Sequence, residues 1–248
     1  MFLFVAGVFI SLHDEIVATW PVFATQDRLV PIYAVATDEK KVAISFDAAW
    51  GAEYTREILA ILDQYDIKTT FFLVKFWMEK YPEETKLIAT KGHEIGNHSA
   101  THPHMNALSE DEIYQELLET NRLIERLVGK SPRLFRPPFG EYNNRLITVV
   151  EDLEMKTIQW SIDSLDWRDP SPEEITDRVL GQIEPGAIVL FHNNAKNTPP
   201  ALVPILEQLL ADGYQVVPIS ELIMWENYYI NPNTGVQEPL PEVGTAGE

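Results

Sequence analysis

Cysteine is absent from all 248 residues, so disulfides and thiolate metal sites are excluded. Basic residues are scarce. Lys and Arg number 19 against 38 Asp and Glu, a formal net charge of -19. Such a surface repels phosphate backbones and anionic lipid, which argues against a nucleic-acid partner. Long apolar runs are also lacking. The one notable stretch, Met1 to Leu12, has about the length of a signal-peptide core and is too short to span a bilayer. No basic residues precede it, His13-Asp14-Glu15 follow it, and Ala18 to Ala24 offers small residues suited to cleavage. Residues 1–24 are therefore expected to be an export signal or a membrane anchor, the alternative being a strand or helix of the fold. No internal repeat is visible.

What is present is an ordinary globular composition, 45% hydrophobic and 23% charged, in a chain long enough to bury one large core. From Lys41 onward short β-rich runs alternate with helical stretches. Val42–Phe46, Thr69–Val74, Glu94–Asn97, Leu134–Arg136, Thr157–Trp160, Ala187–Phe191 and Tyr214–Val217 read as strands. Helices are expected at Tyr54–Tyr65, around Glu83–Lys91, at Asn144–Leu153 and at Pro200–Asp212. Ser109 with Glu112 and Ser171 with Glu174 have the spacing of capping boxes, and Gly129 ends the first of those helices. This rhythm predicts a parallel α/β sheet with right-handed helical crossovers, able to curl into a barrel. The expected boundaries are a lead-in over 25–40, the domain over 41–228, and a flexible C-terminal tail over 229–248, rich in Pro, Gly and Glu.

In parallel α/β folds chemistry gathers at the C-terminal ends of the strands. The unusual residues of this chain fall there repeatedly. Asp47 ends the first strand, and His98 follows the third. Arg136-Pro137-Pro138 follows the fourth, Asp163 and Asp166 the fifth, and His192 the sixth. His98 and His102 are four apart; on one helical turn they would share a face and bind one divalent cation. His93 and His104 read as surface residues. Each feature alone has a plain structural explanation: a capping carboxylate, a stiff proline turn, a strand-end histidine. Together they supply the parts of metal-assisted amide or ester hydrolysis.

Five ordered segments resemble the polysaccharide deacetylases with a NodB-homology domain, over about Lys41 to Leu222. They are SFDAAWG at Ser45–Gly51, HSATH at His98–His102, RPPFG at Arg136–Gly140, DSLDW at Asp163–Trp167 and LFH at Leu190–His192. The first and fourth are similar to the sporulation-type branch acting on peptidoglycan. The resemblance implies an irregular (β/α) barrel, an extracytoplasmic location and a glycan substrate, peptidoglycan or a chitin-like oligosaccharide. It implies one divalent metal, zinc, on His98 and His102. It also implies Asp47 as base, paired with Arg136, and His192 as acid, oriented by Asp166. Asp163 could exchange roles with Asp166. The Phe139 backbone N–H would face the oxyanion, and Trp167 and Leu190 would wall the acetyl methyl. One departure stands out. The family pattern has a second Asp after the base, a metal ligand, and here that residue is Ala48. The metal would then be weakly held, or the fold would grip glycans without catalysis.

Overall fold

The computed structural model describes residues 28–241, so the expected export segment at 1–24 lies outside the described residues. In chain order the strands are β1 (Ala34–Val35), β2 (Lys41–Ala48), β3 (Thr70–Leu73), β4 (Glu94–Asn97), β5 (Leu134–Phe135), β6 (Lys156–Thr157), β7 (Ile162–Asp163), β8 (Ile188–His192), β9 (Gln215–Val216), β10 (Tyr228–Ile230) and β11 (Val236–Pro239). The helices are α1 (Thr55–Gln64), α2 (Lys75–Lys80), α3 (Pro82–Thr90), α4 (Glu110–Val128), α5 (Asn144–Asp152), α6 (Pro172–Leu180), α7 (Thr198–Ala211) and α8 (Ile219–Leu222). Among the described residues no helix is long and apolar enough to cross a membrane.

The main sheet runs β6-β5-β4-β3-β2-β8-β7, with β9 also on β2, and every pair in it is parallel. It curls into an incomplete (β/α) barrel. β2 is the centre, and its apolar residues are split between two layers. Val42, Ile44, Phe46 and Ala48 pack in the cluster that also holds Ile58, Leu59, Ile175, Ile205 and Leu206 of the surrounding helices. Ala43 belongs to the other cluster, with Phe72, Leu134, Ile158 and Ile188. A strand buried on both faces reads as an almost continuous apolar run, which is why VAISF is so plain in the sequence.

Both capping boxes form. Ser109 and Glu112 exchange bonds at the start of α4, and Ser171 and Glu174 at the start of α6. Gly129 closes α4 at φ 79°, a left-handed conformation that glycine adopts without a Cβ penalty.

Within the expected tail, residues 229–239 take part in a small sheet, while residues 242–248 lie outside the described residues. β11 pairs in parallel with β1, and β10 pairs antiparallel with β11. Pro232 and Gly235 belong to the turn Asn231–Gly235, where the Gly235 N–H donates to the Asn231 carbonyl at 2.8 Å and φ of Gly235 is 72°. Gln237 is fully buried. Its amide accepts from Met224 N–H at 2.8 Å and donates to Met224 C=O at 2.6 Å, tying β11 to the segment after α8. Gln237→Leu would leave both backbone groups unpaired, and we expect it to cost roughly 2 kcal/mol or more in urea unfolding. A dispensable tail would show no loss.

Candidate functional site

The strand ends converge as expected. Asp47 and His192 are register partners in the β2–β8 pair, so their side chains start side by side at the same end of the sheet. Asp47 is buried, and its Oδ1 accepts from Arg136 Nη1 at 2.8 Å. Arg136 is also fully buried. Its Nη2 donates to the Gln159 carbonyl at 3.1 Å, and its guanidinium lies 4.2 Å from the centre of the Phe72 ring. Burial alone would raise the Asp47 pKa, but Arg136, then His98 and His192, outweigh it and hold the carboxyl below its ordinary range.

His98 and His102 meet, although not by the helical turn their spacing suggests. The segment is a loop with left-handed backbone at Ser99 (φ 70°) and His102 (φ 57°). Polar side chains fix it. Asn97 Oδ1 accepts from Ser99 N–H at 2.7 Å, and the Glu116 carboxylate accepts from Ala100 N–H and Thr101 N–H, each at 2.8 Å. The ring centres lie 5.1 Å apart at 78°. Burial lowers the pKa of both, that of His102 to about 4, so both imidazoles are neutral near pH 7.

The donor set fits a cation in part. A carbonyl can only accept, so the 2.7 Å contact between His98 Nδ1 and Arg136 O puts the ring proton on Nδ1. His98 Nε2 is then a bare acceptor, 3.5 Å from Asp47 Oδ2, which is another acceptor. His102 Nδ1 is buried with no hydrogen-bond partner. Facing lone pairs and an orphaned imidazole nitrogen are what a bound divalent cation relieves. Yet no group of three or more His, Cys, Asp or Glu able to hold a metal occurs among the described residues.

The third donor of the family pattern is missing because residue 48 is Ala. Ala48 is the last residue of β2, fully buried with Phe46 in the helix-side cluster, and it does not line the cavity.

On the opposite wall, His192 Nδ1 sits 2.7 Å from Asp166 Oδ1, and Asp166 Oδ2 accepts from His192 N–H at 2.7 Å and Thr198 Oγ1 at 2.6 Å. This separates the two aspartates that the sequence left interchangeable. Asp163 Oδ1 caps its own loop at Leu165 N–H (2.9 Å), and the Asp163 carbonyl accepts from Arg178 Nε at 2.7 Å. Burial disfavours the imidazolium of His192, but Asp166, then Asp47 and Asp163, overcome it, and the pKa ends above 6.5.

Asp47, His98, His102 and His192 line one cavity of about 480 Å³, walled also by Phe139, Trp167, Leu190, Asp163, Trp50 and Trp160. Phe139 has φ 59°, and at Gly140 (φ 69°) a Cβ would lie 3.1 Å from the Trp160 ring, so glycine is favoured there. Trp50, Trp160 and Thr198 were not singled out from sequence. The only available signals were that Trp50 stands inside SFDAAWG and that Trp160 ends a predicted strand. His93 is corrected. It is buried rather than on the surface, its Nδ1 accepts from Thr69 N–H at 3.2 Å, and burial lowers its pKa to about 4. His104 is exposed, as expected, and stacks on Phe139 at 4.5 Å.

Two outcomes follow from this geometry. Because the His192 pKa is raised in the folded state, its pairing adds stability that is full below pH 6.5 and is lost as pH rises through the folded value. Asp166→Asn should therefore lower the His192 pKa in NMR titration and destabilise the protein more at pH 5.5 than at pH 8.5; equal losses would refute the pairing. Ala48→Asp places a carboxylate in apolar surroundings, so we expect it to cost roughly 3 kcal/mol in chelator, partly recovered on adding zinc. Unchanged thermal stability in chelator would show that position 48 is not packed in the core.

Comparison with known proteins identifies the family of this chain. A family model described as polysaccharide deacetylase matches residues 34–158. The uncharacterized protein YlxY of Bacillus subtilis is 37% identical over 78% of this chain, which spans 60% of its length. A peptidoglycan-N-acetylglucosamine deacetylase of Bacillus cereus is 32% identical over 82% of this chain and 76% of its own. Among solved structures, BA3943 of Bacillus anthracis, described as a family 4 carbohydrate esterase (CE4) pseudoenzyme, is 40% identical with a TM-score of 0.76, over 78% of this chain and 68% of that one. A mutant of BA3943 is described as having restored enzymatic activity. With the fold, the strand-end side chains and these matches in agreement, the chain belongs to the polysaccharide deacetylase family.

Proposed function

We propose that this chain hydrolyses the N-acetyl groups of an amino-sugar polymer, peptidoglycan first, outside the cytoplasm. One observation carries the proposal: Asp47 and His192, register partners at the mouth of the sheet, are shifted in opposite directions. Asp47 is held ionised by Arg136 and suits a base, and Asp166 shifts His192 toward its protonated form, which suits an acid. Asp47 would take a proton from water, and His192 Nε2 would give one to the leaving nitrogen, its Nδ1 being committed to Asp166. Phe139 would offer its backbone N–H to the oxyanion, while Trp167 and Leu190 enclose the acetyl methyl and Asp163 shapes the loop beneath them. His98 and His102 are the residues that would hold a divalent cation, zinc in this proposal, which when bound polarises the carbonyl and acidifies water. With two imidazoles rather than three protein ligands, it would be held weakly.

A second function is favoured by Ala48 and by the pseudoenzyme relative: a glycan-gripping protein that has lost turnover. Acetate release from peptidoglycan and chitooligosaccharides, with and without added zinc, separates the two. The hydrolase is expected to release acetate in a zinc-dependent manner, and Asp47→Asn or His192→Ala should each reduce kcat by roughly 100-fold or more. Glycan retention with no acetate at any zinc concentration would establish the gripping protein instead.

A further inference from the structure

The site cavity is bordered by the 3-10 turn Pro138–Gly140. Gly140 lines it and also lines a second cavity of about 560 Å³, walled by Arg28, Asn106, Glu141, Tyr142 and Asn143 among others. The divide between the two is an ordered ridge. Phe139 faces the first cavity, His104 stacks on it at an interplanar angle of 17°, and His104 Nδ1 is held 3.1 and 3.2 Å from the Glu141 carboxylate oxygens. Gly140 is therefore a wall shared by the site cavity and its neighbour.

The lining of the second cavity suits a sugar with an acidic substituent. Amide and phenol groups are the usual partners of sugar hydroxyls and N-acetyl groups. Arg28 adds a cation. Its Nη2 donates to Tyr142 Oη at 3.1 Å, and among the described residues it makes no ion pair with a carboxylate. Glu141, the acid of the lining, is occupied by His104. In a chain with 38 acidic residues and 19 basic ones, an arginine beside the groove without a carboxylate partner leaves its fork free for a ligand.

We propose that the second cavity is a subsite for the neighbouring sugar of the polymer, and that Arg28 selects a unit carrying a carboxylate. This inference rests on the chain acting on, or gripping, an amino-sugar polymer. It predicts that the protein prefers a peptidoglycan-derived tetrasaccharide, with lactyl carboxylates, over neutral chitotetraose.

Calorimetric titration of the full chain with both oligosaccharides tests it, since binding is read without turnover. We expect the acidic ligand to bind about tenfold more tightly, the size of one charge-assisted contact. Arg28→Gln should bring the ratio close to one, while Arg122→Gln, the same charge change on α4 away from both cavities, should leave it as in the parent. Melting temperatures equal to the parent's establish that both variants fold. A ratio unaffected by Arg28→Gln, or lowered equally by Arg122→Gln, overturns the assignment of Arg28. If the parent binds neither oligosaccharide, the polymer function itself falls, and the subsite with it.

Discussion

The site depends on one buried ion pair. Arg136 enters from the end of β5 and Asp47 from β2, 89 residues apart in sequence, and both are removed from water. Desolvating two such charges costs several kcal/mol per ion, and their attraction offsets this only with good geometry and further hydrogen bonds. Those are present: the 2.8 Å contact to Asp47, the Gln159 carbonyl at 3.1 Å, and the Phe72 ring face. Removing either partner would strand the other charge, a loss of roughly 3–5 kcal/mol. The same arginine also uses its backbone. Its carbonyl takes the His98 Nδ1 proton and so sets which ring nitrogen faces Asp47. One residue thereby favours the ionised form of Asp47 and fixes the tautomer of His98.

The second pair works differently. His192 is held by Asp166 through side chain and backbone at once, and Thr198 occupies the remaining lone pairs of Asp166 Oδ2. A carboxylate donated to by three groups cannot turn away from the imidazole without leaving buried donors unpaired. Asp47 and His192 are thus positioned by separate networks, one from β5 and one from the loop after β7, and they meet because β2 and β8 run in register.

Much of this was legible in the sequence, and the reason is periodicity. Apolar runs closed by a polar residue mark strands buried on both faces, so Asp47, His98 and His192 could be placed at strand ends before any coordinates. The capping boxes were legible because they are local, their partners only three residues apart. What was not legible required contacts distant in sequence. The His98–His102 segment is a loop whose backbone Glu116 of α4 clamps at Ala100 and Thr101, which spacing alone cannot reveal. β10 and β11 read as a tail because their alternation is short and interrupted by Asn231-Pro-Asn-Thr-Gly235; their stability comes from β1, about two hundred residues earlier. The choice between Asp163 and Asp166 turned on the path of one loop.

Ala48 shows how closely fold and chemistry can adjoin without depending on each other. Asp47 serves the cavity, while its neighbour packs with Phe46 on the helix side, filling the core beside α1 and α7. A methyl group suits that position, since it needs no hydrogen bonds and leaves no charge to neutralise. A carboxylate at 48 would have to leave the apolar layer and turn around the strand end to approach His98 and His102. It would do so only if a cation held there compensated both its desolvation and its repulsion with Asp47. The residue at 48 therefore decides how far folding and metal binding are linked. With Asp the empty site would carry an unbalanced buried charge; with Ala the barrel closes on its own, and the two imidazoles are left neutral and preorganised by Arg136 and Glu116.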